Sequence, residues 1–380
     1  MKGPKFLYLV FVAAVVALVA WLMHRADRNA FQEQAIAAGS KVLGDFVVND
    51  VATVAISGPD GRVTLKRGDK GWGVTERADY PTDFARISGL ILKLSNLEAV
   101  QSVPIAEADY GVLSLRTDGD NIPREEAGTK VELLDGSGQA ITSMVIGKTR
   151  MTAPEGIRPE VGGTASGRYV LPGSSRESAY LVSETFSDLQ TTPGAWIDKT
   201  FIRPGMPRRV EVKSKDGSWT LQRDVSGGQW TLEGLRKKQS LDMTKAMSID
   251  SMFNSMAVAD VPDGPDDARI KPLTENPVTV TADTFDGIRY TLTIGRGDGD
   301  NLPVKVAVEA LPDEAPAPTP AEGQTPEQAA TQVEQAKKAK EAQLAAAEKF
   351  KDRVVFIPRN FVAPFLESRS SMIAKPAAGN

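Results

Sequence analysis

The sequence predicts an α+β protein: an N-terminal transmembrane helix followed by two tandem copies of an antiparallel sheet-plus-helix module. Three observations carry this expectation. Residues 60–67, DGRVTLKR, return as DGSWTLQR at 216–223, with five of eight letters identical. A Trp follows each stretch, Trp72 and Trp230, and an apolar stripe at helical spacing comes next. The chain opens with an uncharged apolar run of 18 residues, Phe6 to Met23.

That run, as a helix, spans roughly 27 Å, close to the hydrocarbon thickness of a bilayer. Lys2 and Lys5 precede it, His24, Arg25, Asp27 and Arg28 follow, and Trp21 sits near its far edge. No small-residue cleavage motif comes after it, so the run reads as an uncleaved anchor. The slight excess of positive charge on the N-terminal side places residues 1–5 as a cytoplasmic tail. The large domain is then expected in the periplasm, held at a bacterial inner membrane by residues 6–23. Residues 24–43 read as a helical stalk.

The first copy is expected over 44–195 and the second over 196–368. Val54 to Arg67 aligns without gaps onto Val210 to Arg223, and in both a D-G step between alternating runs signals a hairpin. In the first copy Phe84, Ile87, Leu90, Ile91, Leu94 and Leu97 form a core-facing stripe, with Asp79 or Thr82 placed to cap it. Met243, Ala246, Ile249, Phe253 and Met256 match it in the second copy, with Asp242 near the start. Hairpins then resume at 130–148 and 277–296, so each copy reads β-β-α-β-β-β-β-α. Local hairpins of this kind favour antiparallel sheets with helices on one face. Trp72 and Trp230 are expected as core anchors.

The copies differ where their last two strands are joined. The first uses a few residues, whereas the second inserts 312–351, a Pro/Ala-rich segment and then a helix of Ala, Gln, Lys and Glu. So few large apolar residues predict a solvated projection, with a partner-binding arm as the alternative. Residues 369–380 read as a flexible tail.

Composition narrows function. There is no Cys, and the single His, His24, ends the apolar run, which excludes thiol chemistry, Cys-based zinc sites and multi-His metal centres and speaks against a Ser-His-Asp triad. With a net charge of −4 and no basic stripe, nucleic acid is not an expected partner. TDGDNIP at 117–123 and GDGDNLP at 297–303 lack the oxygen ligand and Gly of a calcium loop and read as turns. No catalytic signature and no cofactor site is found. Two basic clusters remain, Arg208 and Arg209 in RPGMPRR and Arg236, Lys237 and Lys238 in LRKKQ. They read as solvated turns or as contacts for an acidic partner or lipid headgroup.

GWGVTE with its Ala-Asp step, YGV at 110–112, MVIGK at 144–148, RYV at 168–170 and WIDKTFI at 196–202 carry a resemblance. In order, they resemble a bacterial membrane-anchored family of unknown function, of the DUF4340 type, often encoded beside gliding-motility-type ABC transporters. None of these motifs is catalytic. The resemblance implies a non-enzymatic accessory subunit of an ABC-type transport assembly, with a permease complex as partner. The rival expectation is a periplasmic ligand-binding or glycan-processing protein using the cleft between the copies.

Overall fold

The two D-G steps close antiparallel hairpins in the computed structural model, which describes residues 38–117, 121–153, 158, 162–312 and 325–374. Gly61 and Gly217 take φ of 146° and 129°, where a side chain would be strained. The anchor expected at 6–23 lies outside the described residues. Among those described, no helix is long and apolar enough to cross a membrane.

The strands are β1 (Thr53–Gly58), β2 (Gly61–Gly68), β3 (Gly71–Val74), β4 (Tyr80–Pro81), β5 (Gln101–Pro104), β6 (Thr129–Leu134), β7 (Ala140–Thr152), β8 (Thr164–Pro172) and β9 (Ser178–Val182). There follow β10 (Pro207–Ser214), β11 (Gly217–Gln222), β12 (Thr231–Leu232), β13 (Pro277–Thr284), β14 (Ile288–Gly295), β15 (Asn301–Ala310) and β16 (Val354–Pro358). The α-helices are α1 (Phe84–Ser95), α2 (Met243–Ser255), α3 (Pro272–Glu275), α4 (Pro326–Ala347) and α5 (Arg359–Val362).

Two antiparallel sheets result. One has the order β4-β3-β2-β1-β6-β7-β8-β9-β5, the other β12-β11-β10-β13-β14-β15-β16. The run β3-β2-β1-β6-β7-β8-β9 in the first repeats strand for strand in the second, so the duplication read from two octapeptides extends to the strand order. No closing helix follows β9 among the described residues, where the alternation predicted one. The second copy has only short α5 and 3-10 turns there.

By compactness the chain divides into two units, residues 1–72 with 84–196, and residues 73–83 with 197–380. In the first unit, register places Val54 and Ile56 between Leu65 and Val63 on one side and Leu133 and Val131 on the other. Met144, Ile146, Val170 and Tyr180 continue this face, and α1 buries Ile87, Leu90, Ile91 and Leu94. Phe84 departs from the expected stripe, being 66% exposed, because it opens the helix a full turn before the first buried position. Neither proposed cap is used. The buried Thr82 hydroxyl has no hydrogen-bond partner, and Asp79 sits at φ 52° ahead of β4. The end of the expected stalk is not helical; Val42 is buried and its amide donates to Leu97 O.

The second unit repeats the scheme. Val210, Val212, Val280, Leu292, Ile294 and Val304 line one sheet face, buried together with Ala246, Ile249 and Phe253 of α2. Asp242 caps α2 by accepting from the Thr244 and Lys245 amides. Phe253 meets Phe365 with ring centroids 5.1 Å apart. Residues 369–374, placed by sequence in a flexible tail, are held: Met372 is buried and Ile373 bridges to Leu241.

Candidate functional site

The basic residues singled out from the sequence occupy different surroundings. Arg209 lies with Glu211 and Lys213 on the outer face of β10, and Thr281, Asp283, Arg289, Thr291 and Glu309 extend that face across β13, β14 and β15. Its charges are paired. Arg209 reaches Glu233 at 2.8 Å, Lys213 reaches Glu211 at 2.9 Å, and Arg289 meets Asp283 through two hydrogen bonds of 2.6 and 2.9 Å. Arg208 is half-buried, and its carbonyl accepts from the Arg223 amide.

Arg236, Lys237 and Lys238 share one exposed turn between β12 and α2. Gln239 locks it, donating its amide to Arg236 O and accepting the Arg236 amide at its side chain, both at 3.0 Å. Lys238 takes the left-handed conformation, φ 78°. The side chains of these three residues form no ion pair or hydrogen bond among the described residues. A fourth cation that sequence reasoning did not find stands beside them. Arg369 donates to the carbonyls of Glu233 and Gly234 at 2.8 and 2.7 Å. No sequence signal marked it, since the contact spans 136 positions.

The long inserted helix is a second candidate. Thr325 and Gln328 form a reciprocal capping box at the start of α4, and every described side chain from Glu327 to Ala339 is exposed. Its far end is fixed to the sheet. Gln343 accepts from the Tyr290 hydroxyl at 2.7 Å, and Phe350 is buried edge-on against Phe201, 5.2 Å between centroids. Lys349 donates to Asp198 at 2.8 Å and to Thr200 O at 2.9 Å. Burial pushes the Asp198 carboxyl up, but bonds from Lys349 and Thr200 outweigh this and hold it below the usual range.

A cavity of about 380 Å³ lies inside the first unit. Leu115, Val145 and Leu171 give it an apolar floor, and Arg116, Lys130 and Arg176, with Glu107 the one carboxylate, give it a mainly basic rim. Two of those cations are already engaged, Arg116 with Glu126 and Lys130 with Glu132, each at 2.9 Å. No group of three or more His, Asp or Glu able to hold a metal is found among the described residues.

Other polar contacts are structural in kind. Arg223, 6% exposed, donates twice to Asp250 at 2.9 and 3.0 Å, stacks 4.1 Å from the Trp230 ring centroid, and shares Asp250 with the indole N–H. Trp230 is thus a core anchor, whereas Trp72 is only half-buried. Arg77 forks onto Asp260 at 2.9 and 3.2 Å and reaches Asp263 at 2.7 Å, while Arg269 joins both carboxylates, at 3.7 and 3.5 Å, and pairs with Asp267 as well.

The modules and their paired surface charges define a duplicated sheet-and-helix protein whose described residues show no assembled catalytic group. Residues 72–276, just over half of the chain, match the family described as a domain of unknown function, DUF4340, and the chain belongs to that family. The match indicates no enzyme family. No curated protein and no solved structure matches the sequence.

Proposed function

We propose that the protein is a non-enzymatic accessory subunit of a membrane assembly, held by residues 6–23 with its large domain in the periplasm. Its partner in this reading is the permease complex of an ABC-type transporter. The observation that carries it is α4. A helix capped at one end, fixed at the other by Gln343, Lys349 and Phe350, and exposed between is a rigid projection with no role in a core. We read so polar a helix, held out in water, as a surface for contact with another molecule. The apolar run supports the membrane location by its length, and the transport assembly follows from the family resemblance.

The test is affinity purification of the full chain from detergent-solubilised membranes, beside a variant with 326–339 replaced by a short Gly-Ser loop. Permease subunits should accompany the full chain and be lost from the variant while its melting temperature holds. A full chain that purifies alone after cross-linking in membranes overturns the reading.

A second reading, ligand binding, is favoured by the cavity in the first unit, whose apolar floor and basic rim suit a small amphipathic anion. A thermal shift with such ligands, abolished by Arg176→Gln, would support it; no shift across a carboxylate and phosphate ester panel would dismiss it.

A further inference from the structure

We infer that the turn Gly234–Gln239 and the start of α2 form a docking surface for the anionic headgroups of a bilayer. The inference deepens the membrane-held reading and rests on it. Five cations meet here: Arg236, Lys237, Lys238, Lys245 and Arg369. The backbone ties them together, since Asp242 donates its amide to Met372 O and Ala374 donates to Ser240 O, both at 2.9 Å. Against them stand three carboxylates, and all are occupied: Glu233 is bonded to Arg209. Asp242 caps α2, and Glu367 is bonded to Lys245. The patch is therefore cationic on a chain whose net charge is −4.

Charge alone would suit an acidic protein equally. The neighbouring apolar side chains favour lipid. Met243 and Met247, 39% and 64% exposed, are one helical turn apart on α2 and begin five residues after Lys238. The free cations Arg236, Lys237 and Lys238 beside flexible apolar side chains are the pattern of an interfacial contact, in which the cations meet headgroups and the apolar groups enter the acyl boundary. The turn is locked by Gln239 and Arg369, so little ordering is needed on contact.

The anchor supplies proximity. Fourteen residues, 24–37, separate the apolar run from the first described residue, and fully extended they reach about 50 Å. Such a tether keeps the domain at high effective concentration near the bilayer, so a weak contact is populated. The first copy has no counterpart. TERADYPTD precedes α1, with Arg77 its only cation, and Arg77 is committed to Asp260 and Asp263.

The experiment is hydrogen–deuterium exchange of the full chain in nanodiscs, comparing phosphatidylglycerol with phosphatidylcholine discs. Amides in 234–248 should exchange several-fold more slowly in the anionic discs, and 0.5 M salt or R236Q/K237Q/K238Q should abolish the difference. At roughly fivefold per cation, the triple variant should lower partitioning onto the anionic surface about a hundredfold. Met247→Gln should weaken the protection in anionic discs at low salt. Equal exchange in the two discs overturns the inference, as does protection that appears only on adding an acidic protein. Resistance of the chain to carbonate extraction reports the anchor separately. Should the anchor fail that test, salt-sensitive flotation of the chain with phosphatidylglycerol vesicles still decides the patch: cation-dependent flotation supports it, and none refutes it.

Discussion

Asp250 shows how one residue can make two copies of a module diverge. Aligned from their first residues, α1 and α2 match Ile87 with Ala246, Leu90 with Ile249, Leu94 with Phe253, and Ile91 with Asp250. Ile91 joins an apolar core. Asp250 in the same place draws in Arg223, which the Trp230 ring covers. Arg67, the counterpart of Arg223, instead donates to Asn49 O at the surface. Asp250→Ala leaves a buried guanidinium without its carboxylate and should cost roughly 3 kcal/mol in chemical denaturation. Arg67→Ala should stay within about 0.5 kcal/mol. Equal effects would contradict the account.

Acid should act through carboxylates of the second unit. The Arg269 hydrogen bond, with amide bonds from Arg269 and Asp263, outweighs burial and lowers Asp267 to about 2. Asp198 and Glu367 also lie below their ordinary values, with Lys349 and Lys245 as the respective cationic partners that overcome burial. A depressed folded-state value stabilises above the unfolded value and is lost as pH falls through the folded one. Melting temperature by calorimetry should therefore hold from pH 7 to 5 and fall from about pH 4.5 toward 2. Asp267→Asn should start lower at pH 7 and decline less steeply.

Among the elements, α4 divides into a free part and a fixed part. Read from composition, the whole insertion 312–351 is a solvated projection, because it has few large apolar residues. Its last turn and the residues that follow pack against the sheet. Phe350 is buried against Phe201, and Gln343 satisfies a Tyr290 hydroxyl whose ionisation burial pushes up. Replacing 326–339 should leave the thermal midpoint nearly unchanged, while Phe350→Ala should cost about 3–5 kcal/mol. A large loss from the first change would make the exposed part structural. One aromatic at the end of a polar helix gave too weak a periodic signal to separate these two behaviours.

For the molecule as a whole, residues 73–83 decide where a cut can be made. They lie in the first copy by sequence but in the second unit by compactness. Tyr80 is buried there, Arg77 holds Asp260, and the Asp198 amide donates to Pro81 O at 2.7 Å. A fragment starting at Ile197 loses all three, so it should melt well below the same unit in the intact chain. Adding a peptide of residues 71–84 should recover part of the loss, and a fragment as stable as the intact unit would refute the assignment.

The sequence by itself determined the repeat, the hairpins with their D-G turns, the two amphipathic helices and the exclusion of thiol chemistry and multi-His metal centres. These are local properties, written in spacing and composition. Tertiary structure alone decided the rest: the burial of Arg223 beside Asp250, the recruitment of Arg369 to the basic turn, the fixed end of α4 and the destination of residues 73–83. Each of these depends on partners between 27 and 183 positions apart in the chain. Such pairings leave no periodic trace, because they join residues far apart in sequence and not at the fixed helix or strand spacing that a pattern records.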